Sequence, residues 1–258
     1  MGDTRSREAF CLFRLMQKQF VLAGILILGM AAGQAADVPT SRSVDQILHD
    51  YATAVGGAAA VDKIETRQIV ASEHHGSKVT YYWQKPNKVV LISKNGKIGY
   101  DGSSGWVLSK KKRLTRLAKG AQRPLEMDAN PLEFVHLKTM YSEVNVAPPE
   151  EIDGRAMDVL TAPNDIGTSK FYFDRATHLL THIEELGETS AYYKHVAEFS
   201  DYQDVDGIKL PFRIVHHSEE PGGGGHELHI KNVQQNVELK AAMFSKPNTA
   251  GVVLGGKR

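Results

Sequence analysis

The sequence predicts a mainly β protein with some helix, organised as one long antiparallel meander, and three observations carry that prediction. From Thr66 onward, apolar residues recur at every second position. Strong turn dipeptides punctuate these runs, and helical spacing is confined to the region before Thr66 and to one later interruption. Alternation of apolar and polar residues marks strands with one face in a core and the other toward water.

The elements follow in order. Ser43 is a good N-cap for a first helix, with Val44, Ile47, Leu48, Tyr51, Ala54 and Val55 at helical spacing before Gly56-Gly57 stops it. A second short helix is expected from Ala58 to about Ile64. In Lys78–Lys85, Val79, Tyr81 and Trp83 share one strand face, while Lys88–Ser93 is apolar on both faces and reads as a covered central strand. Ile208, Leu210, Phe212 and Ile214 alternate with Lys209, Pro211, Arg213 and Val215. Pro211 has no N–H for a ladder, so an edge position or a bulge is expected there. Asn95-Gly96, Asp101-Gly102, Asp153-Gly154 and Asp206-Gly207 are hairpin turn signals. Asn130-Pro131 opens an expected helix from Pro131 to Met140 or Tyr141. Leu132, Phe134, Val135, Leu137, Met140 and Tyr141 make it apolar over too wide an arc for a surface stripe, so it reads as a plug or lid over something concave. Ser218–Gly225 (SEEPGGGG) reads as a loop, and the tail Gly251–Arg258 as a frayed end.

Residues 1–35 read as a cleavable export signal. Phe20–Ala32 is an uncharged, mostly apolar run, flanked by Arg14 and Lys18 before it and by Gly33-Gln34-Ala35 after it. A membrane span needs roughly 20 apolar residues, more than this run supplies. Cleavage after Ala35 leaves residues 36–258 as a single domain in the periplasm. Met16 is an alternative start, because the segment from there already has a complete signal layout. Cys11 is the only cysteine and lies before the run, so the mature chain is expected to carry no thiol, disulfide or lipidated N-terminus. Removing residues 1–35 takes away four of 31 basic and two of 30 acidic side chains, leaving 27 against 28. That balance does not indicate a nucleic-acid partner.

Chemistry-bearing clusters are few. The serine-hydrolase elbow, the phosphate loop, H-E-x-x-H and C-x-x-C are all missing from the sequence. His216 and His226 flank the glycine loop, and alternation puts each on the apolar side of its strand. If the hairpin register pairs them, two imidazoles meet, and Glu219, Glu220 or Glu227 could supply a carboxylate for a metal. The plainer reading makes them hairpin-end residues, with His217 and His229 in water; on it no metal is expected. His74-His75 beside Gly76 reads in the same way, as a turn-flanking pair. The basic stretch with Lys110, Lys111, Lys112, Arg113, Arg116, Lys119 and Arg123 either contacts anionic headgroups or an acidic partner, or is a solvated hairpin whose charges deter aggregation.

AVGGAAAVDKIET after the first helix, FYFDRATHLLTHIE, FSDYQDVDGIKLPFRIVHHS and the late MFSKP resemble the LolA-like, outer-membrane lipoprotein-sorting superfamily, from Ser43 to about Pro247. That resemblance implies a strongly curved antiparallel sheet, an incomplete β-barrel, whose concave face is covered by helices and receives acyl chains without a cofactor. Carriers of that family latch the lid with a sheet arginine, for which Arg67 is the candidate here. The expected function is a periplasmic, monomeric, non-enzymatic carrier of lipid or lipoprotein acyl chains, touching the membrane at most peripherally. Trp83, Leu91, Phe134, Leu137, Met140, Phe173 and Phe212 are the candidate groove and lid residues. Lys111, Lys112, Arg113 and Arg116 are the candidate headgroup or partner contacts. Two alternatives remain: an envelope scaffold that binds another protein, and a hydrolase or metal enzyme built around His216 and His226.

Overall fold

The computed structural model describes residues 42–73, 76–117, 122–164, 167–187, 194–218 and 225–247. The export signal, His74, His75, Lys119, the loop acids Glu219 and Glu220, and the tail from Gly251 lie outside the described residues. Helix α1 spans Val44–Ala54 and α2 spans Ala58–Val61. The first six strands are β1 (Thr66–Glu73), β2 (Lys78–Gln84), β3 (Lys88–Ser93), β4 (Gly96–Tyr100), β5 (Gly105–Ser109) and β6 (Leu114–Arg116). A helical strap follows: α3 (Gln122–Ala129), a 3-10 turn (Glu133–His136) and α4 (Leu137–Met140). The remaining strands are β7 (Asn145–Ile152), β8 (Arg155–Asn164), β9 (Gly167–Asp174), β10 (Leu180–Gly187), β11 (His195–Val205), β12 (Ile208–Ser218) and β13 (His226–Gln235).

All thirteen strands belong to one antiparallel sheet, in the order β6-β5-β4-β3-β2-β1-β13-β12-β11-β10-β9-β8-β7. The chain meanders outward to β6 at one edge, restarts at the opposite edge with β7, and meanders back until β13 pairs with β1. The sheet does not close: it is the incomplete barrel expected from the resemblance. Four turns drive the meander where the sequence marks them. At Asp153-Gly154 (φ 51° and 74°) and Asp206-Gly207 (φ 54° and 80°) both central residues are left-handed. That is the turn whose twist matches the flanking strands.

Helix α1 starts on a reciprocal capping box. The Ser43 hydroxyl accepts from the Gln46 N–H at 3.2 Å, and the Gln46 side chain accepts from the Ser43 N–H at 2.8 Å. Its buried stripe is Ile47, Leu48, Tyr51 and Ala52. It stops at Gly56, whose φ of +117° suits glycine and whose absent Cβ would lie 2.3 Å from the Gly207 carbonyl oxygen. Gly56→Ala is therefore expected to destabilise the protein by at least about 1–3 kcal/mol. At about 2–4 °C per kcal/mol for a chain of this size, the thermal midpoint falls by several degrees. An unchanged midpoint in a melting experiment would disprove this packing. Helix α2 ends at Val61, short of the expected Ile64.

One face of the sheet carries the main core. Ile69, Tyr81, Trp83, Val89, Leu91, Phe171, Phe173, Leu210 and Ile214 join the helical residues Ile47, Tyr51, Leu132, Phe134 and Leu137 in one apolar cluster. The other face has its own patches. Val90 packs with Trp106, Leu114 and Phe244, and the Trp106 indole N–H donates to the Phe244 carbonyl at 3.1 Å. Strand β3 is thus covered on both sides.

Three local expectations need correction. The strand with Pro211 lies inside the sheet, not at an edge, and shows no register shift against β11. Proline is tolerated because β12 pairs with β13 only over Arg213–His216, so Pro211 lies beyond that ladder. The expected helix from Pro131 is a 3-10 turn followed by one α turn. Breaking the helix lets the consecutive Phe134 and Val135 both be buried, while Glu133 turns to Arg123 and His136 to Asp62. Helix α3 was not expected at all. Pro124 falls in its first turn, where a proline costs no helical hydrogen bond.

Candidate functional site

The strap connects opposite edges of the open sheet, and its helix α3 lies against β1, β2 and β3. The seven predicted groove and lid residues, three of them on the strap and four on the sheet, converge on one apolar cluster. Trp83, Leu91, Phe134, Leu137 and Phe173 are buried in it, and Met140 and Phe212 pack against it half-buried. Phe134 meets Phe171 at 5.5 Å between ring centroids, and Phe171 meets Tyr141 at 5.7 Å. Tyr51 of α1 meets Phe173 edge-on at 5.2 Å and donates to the Pro131 carbonyl at 3.5 Å. The strap's own side chains therefore fill the concave face.

Polar groups also hold the strap. Arg67 on β1 is 1 % exposed, and its Nη1 donates to Asn130 Oδ1 at 2.9 Å and, at 3.5 Å, to the Ala129 carbonyl. Its Nε and Nη2 are buried without a hydrogen-bond partner. Burial pulls the guanidinium down from its usual 12.5 to about 10. Arg123 on α3 donates to Glu133 at 2.8 Å and stands over the Phe134 ring at 5.4 Å. Glu126 beside it is pushed up to about 7, first by burial and then by the charge of Glu133, with Arg123 opposing both. At the strap's outer side, Lys138 pairs with Asp45 and His136 with Asp62, each at 2.7 Å. Such exposed pairs hold weakly.

A second constellation sits where α3 meets β12 and β13. His216 and His226 are directly opposite in the ladder, and their rings stack at 4.5 Å and 16°. The carboxylate that reaches both is Asp128 from α3, while Glu227 pairs with His229 and Arg213. Asp128 Oδ1 lies 2.8 Å from His216 Nε2, and Oδ2 lies 3.8 Å from His226 Nε2. The Tyr81 hydroxyl donates to Oδ2 at 2.8 Å. Burial alone would raise the Asp128 carboxyl, but the two imidazoles outweigh it and hold it near about 2. The carboxylate in turn raises His226 above its usual range, against the effect of burial. His195, 5.6 Å from the His216 ring, is driven down to about 4 by burial and by its histidine neighbours. His216 is buried, as its place on the apolar side of its strand predicts. His217 and His229 are half exposed and pair with Glu198 at 3.1 Å and Glu227 at 3.2 Å. Glu227 also accepts from Arg213 at 2.6 Å. A pocket of about 520 Å³ opens beside the pair, with Glu73, Lys94, His216 and His226 in its wall.

Lys111, Lys112 and Arg113 are exposed in the β5–β6 hairpin, and Arg116 is exposed on the edge strand β6. Lys110 next to them donates its backbone N–H to the Asn95 carbonyl at 2.8 Å, and Asn95 lines the same pocket. No helix among the described residues is long and apolar enough to cross a membrane.

No protein-family model matches the chain, and no curated protein matches it by sequence. Solved structures match it in shape. A LolA superfamily protein from Nitrosomonas europaea superposes with a TM-score of 0.55 at 12% identity, over 80% of this chain and 98% of that one. A DUF1329 family protein from Desulfovibrio piger gives 0.56 at 14% identity, over 79% and 97%. A domain from Vibrio parahaemolyticus, described as an outer-membrane lipoprotein-sorting protein domain, gives 0.51 at 13%, over 77% and 96%. At these identities the likeness is one of fold.

Proposed function

Starting from a chain with the LolA-like fold, we propose that it is a carrier that shelters acyl chains of lipids or lipoproteins under its helical strap. The observation that carries this reading is the strap itself. A segment joining the two free edges of an open sheet lies on that sheet's apolar face, and its side chains occupy the space an acyl chain would take. The magnitudes allow exchange. An acyl chain of about 14 methylenes gains roughly 11 kcal/mol on leaving water, at ~0.8 kcal/mol per CH2. Exposing Leu132, Phe134 and Leu137 costs about 5–9 kcal/mol, at 1.5–3 kcal/mol each. The ligand's gain exceeds the strap's loss by about 2–6 kcal/mol, so loading is favoured, and the returning strap offsets roughly half or more of the cost of release. Neither step requires a cofactor.

The exposed Lys111, Lys112, Arg113 and Arg116 supply positive charge for anionic headgroups or an acidic delivery partner; each is worth roughly 1 kcal/mol near an anionic surface. The export signal read in residues 1–35 supports a periplasmic setting for this work. The test is direct. Protein purified from an envelope fraction is extracted with organic solvent for mass spectrometry, then titrated with a fluorescent fatty acid. Saturable uptake at about one chain per protein, competed by unlabelled fatty acid or lipopeptide, is the expected result. A lipid-free extract together with absent uptake would overturn the carrier reading.

A further inference from the structure

We propose that Asp128, His216 and His226 form a binding site for a first-row divalent transition metal of the zinc class, joining the strap to the sheet. Each of the three residues offers one ligand atom, and these atoms all lie within 4.8 Å of one another. A tetrahedral centre with bonds of about 2.1 Å puts its ligand atoms roughly 3.4 Å apart. The observed 2.8 and 3.8 Å from the carboxylate oxygens to the two Nε2 atoms bracket that spacing. Completing the set requires the half-exposed His226 ring to swing toward Asp128 and His216.

One carboxylate faces two imidazoles whose rings are stacked at 4.5 Å and 16°. His226 Nε2 stands 3.8 Å from Asp128 Oδ2, longer than a hydrogen bond and close to the spacing of two ligands of one ion. On binding, the half-exposed His226 ring turns out of the stack so that both nitrogen lone pairs meet the ion, and the carboxylate offsets part of its charge. Two nitrogens and one oxygen suit zinc, cobalt, nickel or iron rather than magnesium or calcium. The Tyr81 hydroxyl bonded to Asp128 Oδ2 is the kind of outer partner that orients a ligating carboxylate. Asp128 and His216 are 2 % and 1 % exposed, whereas the His226 side chain is 45 % exposed at the pocket wall. The ion therefore has an entry path and an open coordination position for water or a ligand. Because Asp128 belongs to α3 and the histidines to β12 and β13, a bound metal clamps the strap onto the sheet.

The experiment uses untagged full-length mature protein, stripped with EDTA and dialysed to equilibrium against zinc chloride. One zinc per chain is expected, together with a higher thermal midpoint. Cobalt in place of zinc is expected to give d–d absorption of a nitrogen- and oxygen-ligated centre. His226→Ala changes a half-exposed residue and Asp128→Asn keeps the shape of the side chain. Both are expected to weaken zinc binding by more than the roughly 10–100-fold that accompanies loss of an outer partner. Stoichiometry well below one, or binding and cobalt absorption unchanged in His226→Ala, would overturn the site. Fatty-acid uptake is measured separately on the same samples, so failure of the metal site and failure of the carrier reading are distinguishable.

Discussion

Arg67→Met is expected to raise the thermal midpoint and to weaken acyl-chain uptake. Arg67 holds the strap by Nη1 alone, through Asn130 Oδ1 and the Ala129 carbonyl, both uncharged. Its Nε and Nη2 are buried with no partner, and a buried unsatisfied donor costs about 1–3 kcal/mol. Burial lowers the guanidinium to about 10, so it stays charged at neutral pH in surroundings that disfavour the charge. A methionine fills much the same volume under Trp83, whose ring stands 5.8 Å from the guanidinium carbon, without that cost. Exchanging a buried charge for apolar volume is often stabilising by about 1–4 kcal/mol. The gain falls on the closed state, because an open strap lets Arg67 reach water or a polar lipid group. A closed state stabilised by about 1–3 kcal/mol weakens uptake by roughly 5- to 150-fold, at 1.4 kcal/mol per tenfold. Calorimetry and a fatty-acid titration check both halves. A lower midpoint would show that the two hydrogen bonds outweigh the strain, making Arg67 a simple brace.

Much of this architecture can be read locally, and the reasons are visible residue by residue. The period of two from Thr66, the Asp-Gly turns and the Ser43 N-cap each depend on residues a few positions apart, and each appears where it was read. The candidate groove residue Trp83 reaches the main core because alternation assigns it, with Val79 and Tyr81, to one side of β2. The approach of His216 to His226 was legible too, as a consequence of alternation plus hairpin register.

What stayed hidden depends on distance along the chain or on polarity. Asp128 reaches His216 across 88 positions, and Arg67 reaches Asn130 across 63. No spacing rule connects them. Helix α3 escaped because its sequence QRPLEMDA follows a basic run and carries a proline, so it reads as a loop. Its helical form follows from Met127, Asp128 and Ala129 being buried against the sheet, where Asp128 is satisfied by Tyr81 and His216. One signal was available: Met127, Asp128 and Ala129 directly precede the wide apolar arc that begins at Leu132. An acid beside a buried segment calls for a partner. The histidines on the apolar side of the last hairpin were the natural place to seek it.

Phe134→Ala and Phe134→Asp are expected to part company in acyl-chain uptake, although both abolish the same packing. Phe134 is fully buried against Phe171 in the strap's 3-10 turn. Either truncation costs the closed strap about 3–5 kcal/mol, the usual loss for a buried phenylalanine. Strand pairing from β1 to β13 does not pass through this residue, so circular dichroism should keep its β signature in both variants. In Phe134→Ala the vacated volume is apolar and the competing strap is weaker, so a fluorescent fatty acid binds as tightly as to the parent protein or more tightly. In Phe134→Asp the same volume holds a carboxylate, whose burial against hydrocarbon costs several kcal/mol. Arg123 cannot simply neutralise it, because that guanidinium already serves Glu133 at 2.8 Å. Uptake by the aspartate variant therefore falls below detection. Loss of the β signature in both variants would make Phe134 part of an ordinary core with no separable lid. Equal uptake by the two would mean that acyl chains do not enter beneath the strap.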